Sequence, residues 1–84
     1  MRIEWSPAAR VGARRFMTDQ DGMTELCTAV TALATDPSPP EAFIRGDYRR
    51  LRVGTYRVMY VLDAEVITIE RVDRIVGDSG NETR

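Results

Sequence analysis

The chain contains no histidine and no lysine, so all twelve of its basic residues are arginine. These absences exclude a Ser-His-Asp triad, a histidine general base, a Schiff-base lysine and any zinc site that includes histidine. Carboxylates, tyrosines and one thiol are left for proton transfer, and neither a cofactor nor a metal is expected. The single cysteine, Cys27, has no second cysteine in the chain with which to form a disulfide. Its neighbours Leu26, Ala29 and Val30 read as a helix face, which predicts a small buried hydrophobe. Long apolar runs are also missing: nothing approaches the roughly 20 residues that span a bilayer. The opening Met1-Arg2-Ile3-Glu4-Trp5 lacks the apolar core of a signal peptide. The expected compartment is therefore the cytoplasm, with no membrane partner.

What is present fits a soluble globule: 84 residues, 43% apolar and 30% charged. A chain of this size has room for one small core, so a single domain is expected over residues 1–76. The polar, glycine-containing stretch 77–84 reads as a flexible tail. The formal net charge of −1 hides a segregation. Residues 48–62 hold Arg49, Arg50, Arg52 and Arg57 with no carboxylate among them, while the segment before them is acidic. Such a distribution makes a local electropositive site on a nearly neutral protein and argues against indiscriminate binding to duplex nucleic acid.

Hydrophobic periodicity divides the chain. Met1, Ile3 and Trp5 alternate with Arg2 and Glu4, as in a half-buried strand. Ser6-Pro7 supplies an N-cap and a first helical residue. The first helix is expected to run to about Thr18, with Ala9, Ala13, Phe16 and Met17 on its apolar face. Asp19 to Gly22 reads as a break, and a second helix over about 22–35 carries Met23, Leu26, Cys27, Val30, Leu33 and Ala34 as a core stripe. Asp36-Pro37-Ser38-Pro39-Pro40 ends it and forms a stiff linker. Beyond the linker the period changes to 2.

Gly54-Thr55, between two alternating runs, predicts a two-residue hairpin of type II′. Val53 then pairs with Tyr56, Arg52 with Arg57, Leu51 with Val58, Arg50 with Met59 and Arg49 with Tyr60. Alternation puts Leu51, Val53, Tyr56, Val58, Tyr60 and Leu62 on one side of the sheet and Arg50, Arg52, Arg57 and Met59 on the other. The apolar side has to meet the helices. A second two-residue turn at Asp63-Ala64 pairs Tyr60 with Ile67, Val58 with Ile69 and Arg57 with Glu70, and it places Glu70 and Arg74 on the arginine face. The result is an α+β fold of order β-α-α-β-β-β: an N-terminal strand, a two-helix hairpin and a three-stranded antiparallel meander, with helices on one face of a twisted sheet. The candidate site is Arg50, Arg52, Arg57, Glu70 and Arg74. Facing arginines repel, a guanidinium fork fits a pair of phosphate oxygens, and an anion would relieve the repulsion. Tyr48 and Tyr56 are further candidates for proton transfer.

The element order resembles that of the RelE/ParE toxin superfamily, the RelE-like branch being preferred. The resemblance covers about residues 1–76 and rests on Ser6-Pro7-Ala8-Ala9, on Leu33-Ala34-Thr35-Asp36-Pro37 and above all on the run from Tyr48 to Tyr60 (YRRLRVGTYRVMY). It implies two helices on a twisted antiparallel sheet and a toxin held in check by a cognate antitoxin. For a RelE-like member it implies an endoribonuclease that cleaves mRNA on the ribosome without a metal, with Arg57 matching the arginine at the scissile phosphate. Arg50 and Arg52 fall at basic positions of the preceding strand, and Arg74 at a basic position of the last. A ParE-like member would instead inhibit DNA gyrase without catalysis, and a non-toxic member would act only as an antitoxin-binding corepressor. The stretch from Val72 to Asp78 has neither the histidine nor the terminal tyrosine of the nuclease branch, which keeps both alternatives open.

Overall fold

The computed structural model describes residues 1–75, and the tail expected from residue 77 lies outside the described residues. The elements run β1 (Arg2–Trp5), α1 (Pro7–Arg15), α2 (Gln20–Ala32), β2 (Phe43–Arg45), β3 (Tyr48–Val53), β4 (Tyr56–Asp63) and β5 (Val66–Arg74). The strands form one sheet in the order β1-β5-β4-β3-β2, antiparallel except where β1 pairs with β5 in parallel. One apolar face of the sheet meets both helices. Leu51, Val53, Tyr56, Val58, Tyr60, Ile67, Ile69 and Val72 close on Ala9, Leu26, Val30 and Leu33 in a single core. No helix of the described residues is long and apolar enough to cross a membrane.

The α+β class, the two-helix hairpin and the β3–β4 register are as the sequence predicts, down to Arg52 opposite Arg57. Gly54 has φ 61, the positive value that the first position of a type II′ turn demands. Four expectations change. The meander has a fourth strand, β2, joined to β3 through Gly46-Asp47 with Gly46 at φ 62. Asp19 does not merely break the helices: its carboxylate accepts the Gly22 N–H at 3.1 Å and caps α2. Cys27 is exposed on α2, and Met17 is 63% exposed beyond the end of α1. These two side chains therefore leave the predicted core stripes.

The fourth change concerns β5. The turn lies at Ala64-Glu65, so Tyr60 pairs with Ile69 and Leu62 with Ile67, two residues from the predicted register. A bulge then intervenes. Tyr60 faces Ile69 but Met59 faces Arg71, leaving Glu70 as the extra residue. Its backbone carbonyl accepts a hydrogen bond from the Ser6 hydroxyl at 2.8 Å, and the same hydroxyl oxygen accepts the Ala9 N–H at 3.0 Å. One serine thus caps α1 and satisfies the carbonyl that the bulge removes from the ladder. Past the bulge the alternation inverts: Val72 and Arg74 lie on the helix side, opposite Val58 and Tyr56, and Arg71 and Asp73 lie on the open side. α1 lies directly on this segment, since a Cβ added at Gly12 would run into the Val72 carbonyl.

Candidate phosphate site on the open sheet face

The face of the sheet turned away from the helices carries, from β2 to β5, Phe43 and Arg45, then Tyr48, Arg50 and Arg52, then Arg57, Met59 and Val61, then Glu70, Arg71 and Asp73. The β3–β4 hairpin fixes the central pair. Because Val53 and Tyr56 must be buried to close the core, the residues next to them along each strand, Arg52 and Arg57, have to emerge together on the far side. Like charges at facing positions repel, and Arg57 also has Asp73 opposite it on β5. The Arg52 Nε also donates to the Gly54 carbonyl at 3.0 Å. Arg50 lies one pair further along β3, its guanidinium carbon 4.7 Å from the centroid of the Phe43 ring. Arg50, Arg52 and Arg57 line an open cleft of about 260 Å³ together with Glu41, Phe43 and Ile75.

The other predicted members lie elsewhere. Glu70 does not face Arg57. It occupies the bulge and borders a second hollow with Tyr48, Met59, Val61, Arg71 and Asp73. The residue of β5 opposite Arg57 is Asp73, whose carboxylate also meets Arg71 at 3.6 Å. Arg74 is on the helix side altogether, with its guanidinium carbon 4.9 Å from the Phe16 centroid and 5.7 Å from that of Tyr56. It donates to the Tyr56 hydroxyl at 3.4 Å, and that hydroxyl donates to Asp19 at 2.6 Å. The Tyr56 hydroxyl, helped by the Gly22 N–H and by the charge of Arg74, holds the Asp19 carboxyl below its ordinary value of 3.8. Tyr56 is therefore committed to this cluster and is not available to the open face. Tyr48 keeps its place there, half-buried in the second hollow.

Asp73 and Phe43 went unrecognised as site residues. Asp73 depends on the bulge, for which β5 has no glycine or other local signal. Phe43 had one: Phe43-Ile44-Arg45 followed by Gly46-Asp47 is a short strand and a glycine-first hairpin, the same signal that Gly54-Thr55 gives, obscured by the proline-rich segment before it. Among the described residues no cluster of three or more cysteine, aspartate or glutamate side chains could hold a metal ion.

No family model matches the sequence, and no curated protein matches it. Solved structures do match in fold. The toxin–antitoxin complex RelBE2 from Mycobacterium tuberculosis contains a chain 21% identical, with a TM-score of 0.69, the match covering 87% of this chain and 95% of that one. The chromosomal ParDE toxin–antitoxin system from P. aeruginosa gives 13% identity and a TM-score of 0.71 over 89% of this chain and 96% of the other. The E. coli DinJ–YafQ complex gives 20% identity and a TM-score of 0.70 over 95% and 98%. With a capped two-helix hairpin on one face of the sheet and arginines on the other, the chain has the fold shared by the RelE, ParE and YafQ toxins.

Proposed function

We propose that the chain is the toxin of a type II toxin–antitoxin pair and acts as a ribosome-dependent mRNA endoribonuclease that grips the scissile phosphate with Arg50, Arg52 and Arg57. The observation that carries this reading is the opposed Arg52–Arg57 pair at the cationic end of an open cleft. In the metal-free route the 2′-hydroxyl attacks the adjacent phosphorus, the 5′-oxygen leaves, and negative charge grows on the equatorial phosphate oxygens. Two guanidinium forks aimed at one phosphate meet that charge as it develops. Arginine does not serve as the base. Among the described residues lining the cleft, Glu41 supplies a carboxylate to accept a proton, and correct placement of the RNA falls to the ribosome.

Primer extension on a reporter mRNA after induction tests the proposal. Wild type should give new 5′ ends in translated codons, and Arg57→Ala should abolish them while the purified variant melts like wild type. Growth arrest with intact transcripts would overturn it. One observation favours a second reading, a ParE-like inhibitor of DNA gyrase. The Tyr56 hydroxyl is tied to Asp19 and Arg74, and Glu70 sits in the bulge rather than opposite Arg57, so two groups expected for proton transfer are placed elsewhere, whereas a poison acting through protein contacts needs none. Loss of supercoiling activity with mRNA intact would select it. Unimpaired growth of cells overexpressing the chain without an antitoxin would instead leave the corepressor role.

A further inference from the structure

The cleft contains a feature that phosphate binding does not require. Phe43 is 46% exposed on the edge strand β2, where an aromatic ring contributes little to the core. The Gly46-Asp47 hairpin aligns it with Arg50 on the open face, and Arg50 lies over its ring at 4.7 Å. The cleft is therefore divided. Arg52 and Arg57 make one end cationic, while the other end has a phenyl ring backed by a guanidinium, with the carboxylate of Glu41 nearby. A site for a bare anion gains nothing from a ring and is weakened by a carboxylate. A nucleotide uses all three: its phosphate meets the arginine pair, its base stacks on the ring, and its hydroxyl or amino hydrogens suit the carboxylate. A base inside a duplex is not free to stack in this way.

We infer that Phe43 is a stacking platform for an unpaired base of single-stranded RNA, adjacent to the nucleotide whose phosphate Arg52 and Arg57 hold. Arg50 supports the ring from one side by a cation–π contact and leaves the other side to the base. This inference rests on the phosphate-gripping reading and assigns that site its base-recognition element.

Fluorescence anisotropy with the full chain and a labelled RNA tetranucleotide tests it. The second probe is the same oligonucleotide with one base removed to leave an abasic ribose, the abasic position being moved through the four sites in turn. At one position, loss of the base should weaken binding to wild type by roughly 5- to 150-fold, the usual worth of one stacked base. Phe43→Leu keeps apolar bulk but no ring. It should lose the same factor on the intact RNA and nothing further on that abasic RNA, while Phe43→Tyr should restore binding. Arg57→Gln should weaken binding to both probes and flatten the salt dependence. Equal affinity of Phe43→Leu and wild type for intact RNA, with Arg57→Gln still impaired, would overturn the stacking role and leave the phosphate site standing. Equal affinity of Arg57→Gln and wild type for both probes would overturn the phosphate reading and the inference together. Phe43→Leu that keeps its RNA affinity but loses a protein partner would also overturn it, marking the ring as a protein-docking residue.

Discussion

Arg57 and Arg74 come within one residue pair of each other across β4 and β5, yet they face opposite sides of the sheet and do opposite work. Arg74 lies against the Phe16 and Tyr56 rings and donates to the Tyr56 hydroxyl, so its charge is used inside the fold, where it ties β5 to the turn between the helices. Arg57 lies between Arg52 on one neighbouring strand and Asp73 on the other, on the open face away from the core. The same side chain is held against aromatic rings on one face and stands beside a second arginine on the other. The difference lies in which neighbours the backbone supplies, not in composition.

The largest effect that tests this contrast is on activity. Arg57→Ala should lower toxicity by at least about 100-fold, as for removal of one transition-state charge donor, with a nearly unchanged melting temperature, since repulsion from Arg52 and attraction to Asp73 are lost together. Arg74→Ala should do the reverse, lowering the melting temperature while toxicity per folded molecule is retained. Equal loss of toxicity in both variants would break the contrast. Next in size is Ser6→Ala, which removes the helix cap and the partner of the bulge carbonyl together. It should cost about 1–2 kcal/mol in urea unfolding. Tyr56→Phe keeps the ring against Phe16 but removes the hydroxyl that joins Asp19 to Arg74, at a cost of about 1 kcal/mol in the same measurement. The smallest effect is on pH dependence. Asp19 titrates below its ordinary value of 3.8 in the folded chain. The unfolded chain therefore takes up the proton first on acidification, and the contribution of Asp19 to stability is full above the unfolded value and disappears as pH falls through the lower folded one. The stability difference between wild type and Asp19→Asn should be flat at neutral pH and shrink below about pH 4. A difference that grows on acidification would contradict the assigned bond to Tyr56.

Much of this contrast was legible before any coordinates. The Gly54-Thr55 turn and the buried alternation around it dictate that Arg50, Arg52 and Arg57 share the open face. The pattern is period 2 and a single glycine sets the register, so little else is possible. The placement of Arg74 was not legible. Local alternation in Ile67-Thr68-Ile69-Glu70 continues smoothly into Val72 and Arg74 if no residue is skipped. The bulge that interrupts it is held by Ser6, more than sixty residues away in sequence. Strand β2 was hidden for a different reason: three residues between a proline-rich linker and a turn carry too short a pattern to be separated from a loop. Burial of Cys27 was predicted from apolar neighbours in sequence, but on a helix those neighbours point to other sides.

The bulge at Glu70 takes up one residue that the pairing of β5 with β4 does not use. A deletion of this one residue would restore an unbroken ladder with Met59 still facing Arg71 and Val58 still facing Val72, so Val72 would keep its place against α1. Arg74 would likewise stay on the helix side opposite Tyr56, and Asp73 on the open side opposite Arg57. Which side of the sheet Arg74 occupies is thus decided by whether Glu70 stays outside the ladder or takes a place in it. Loss of this one codon would therefore preserve the two faces, whereas a Glu70 held in the ladder would swap them without any change of sequence length.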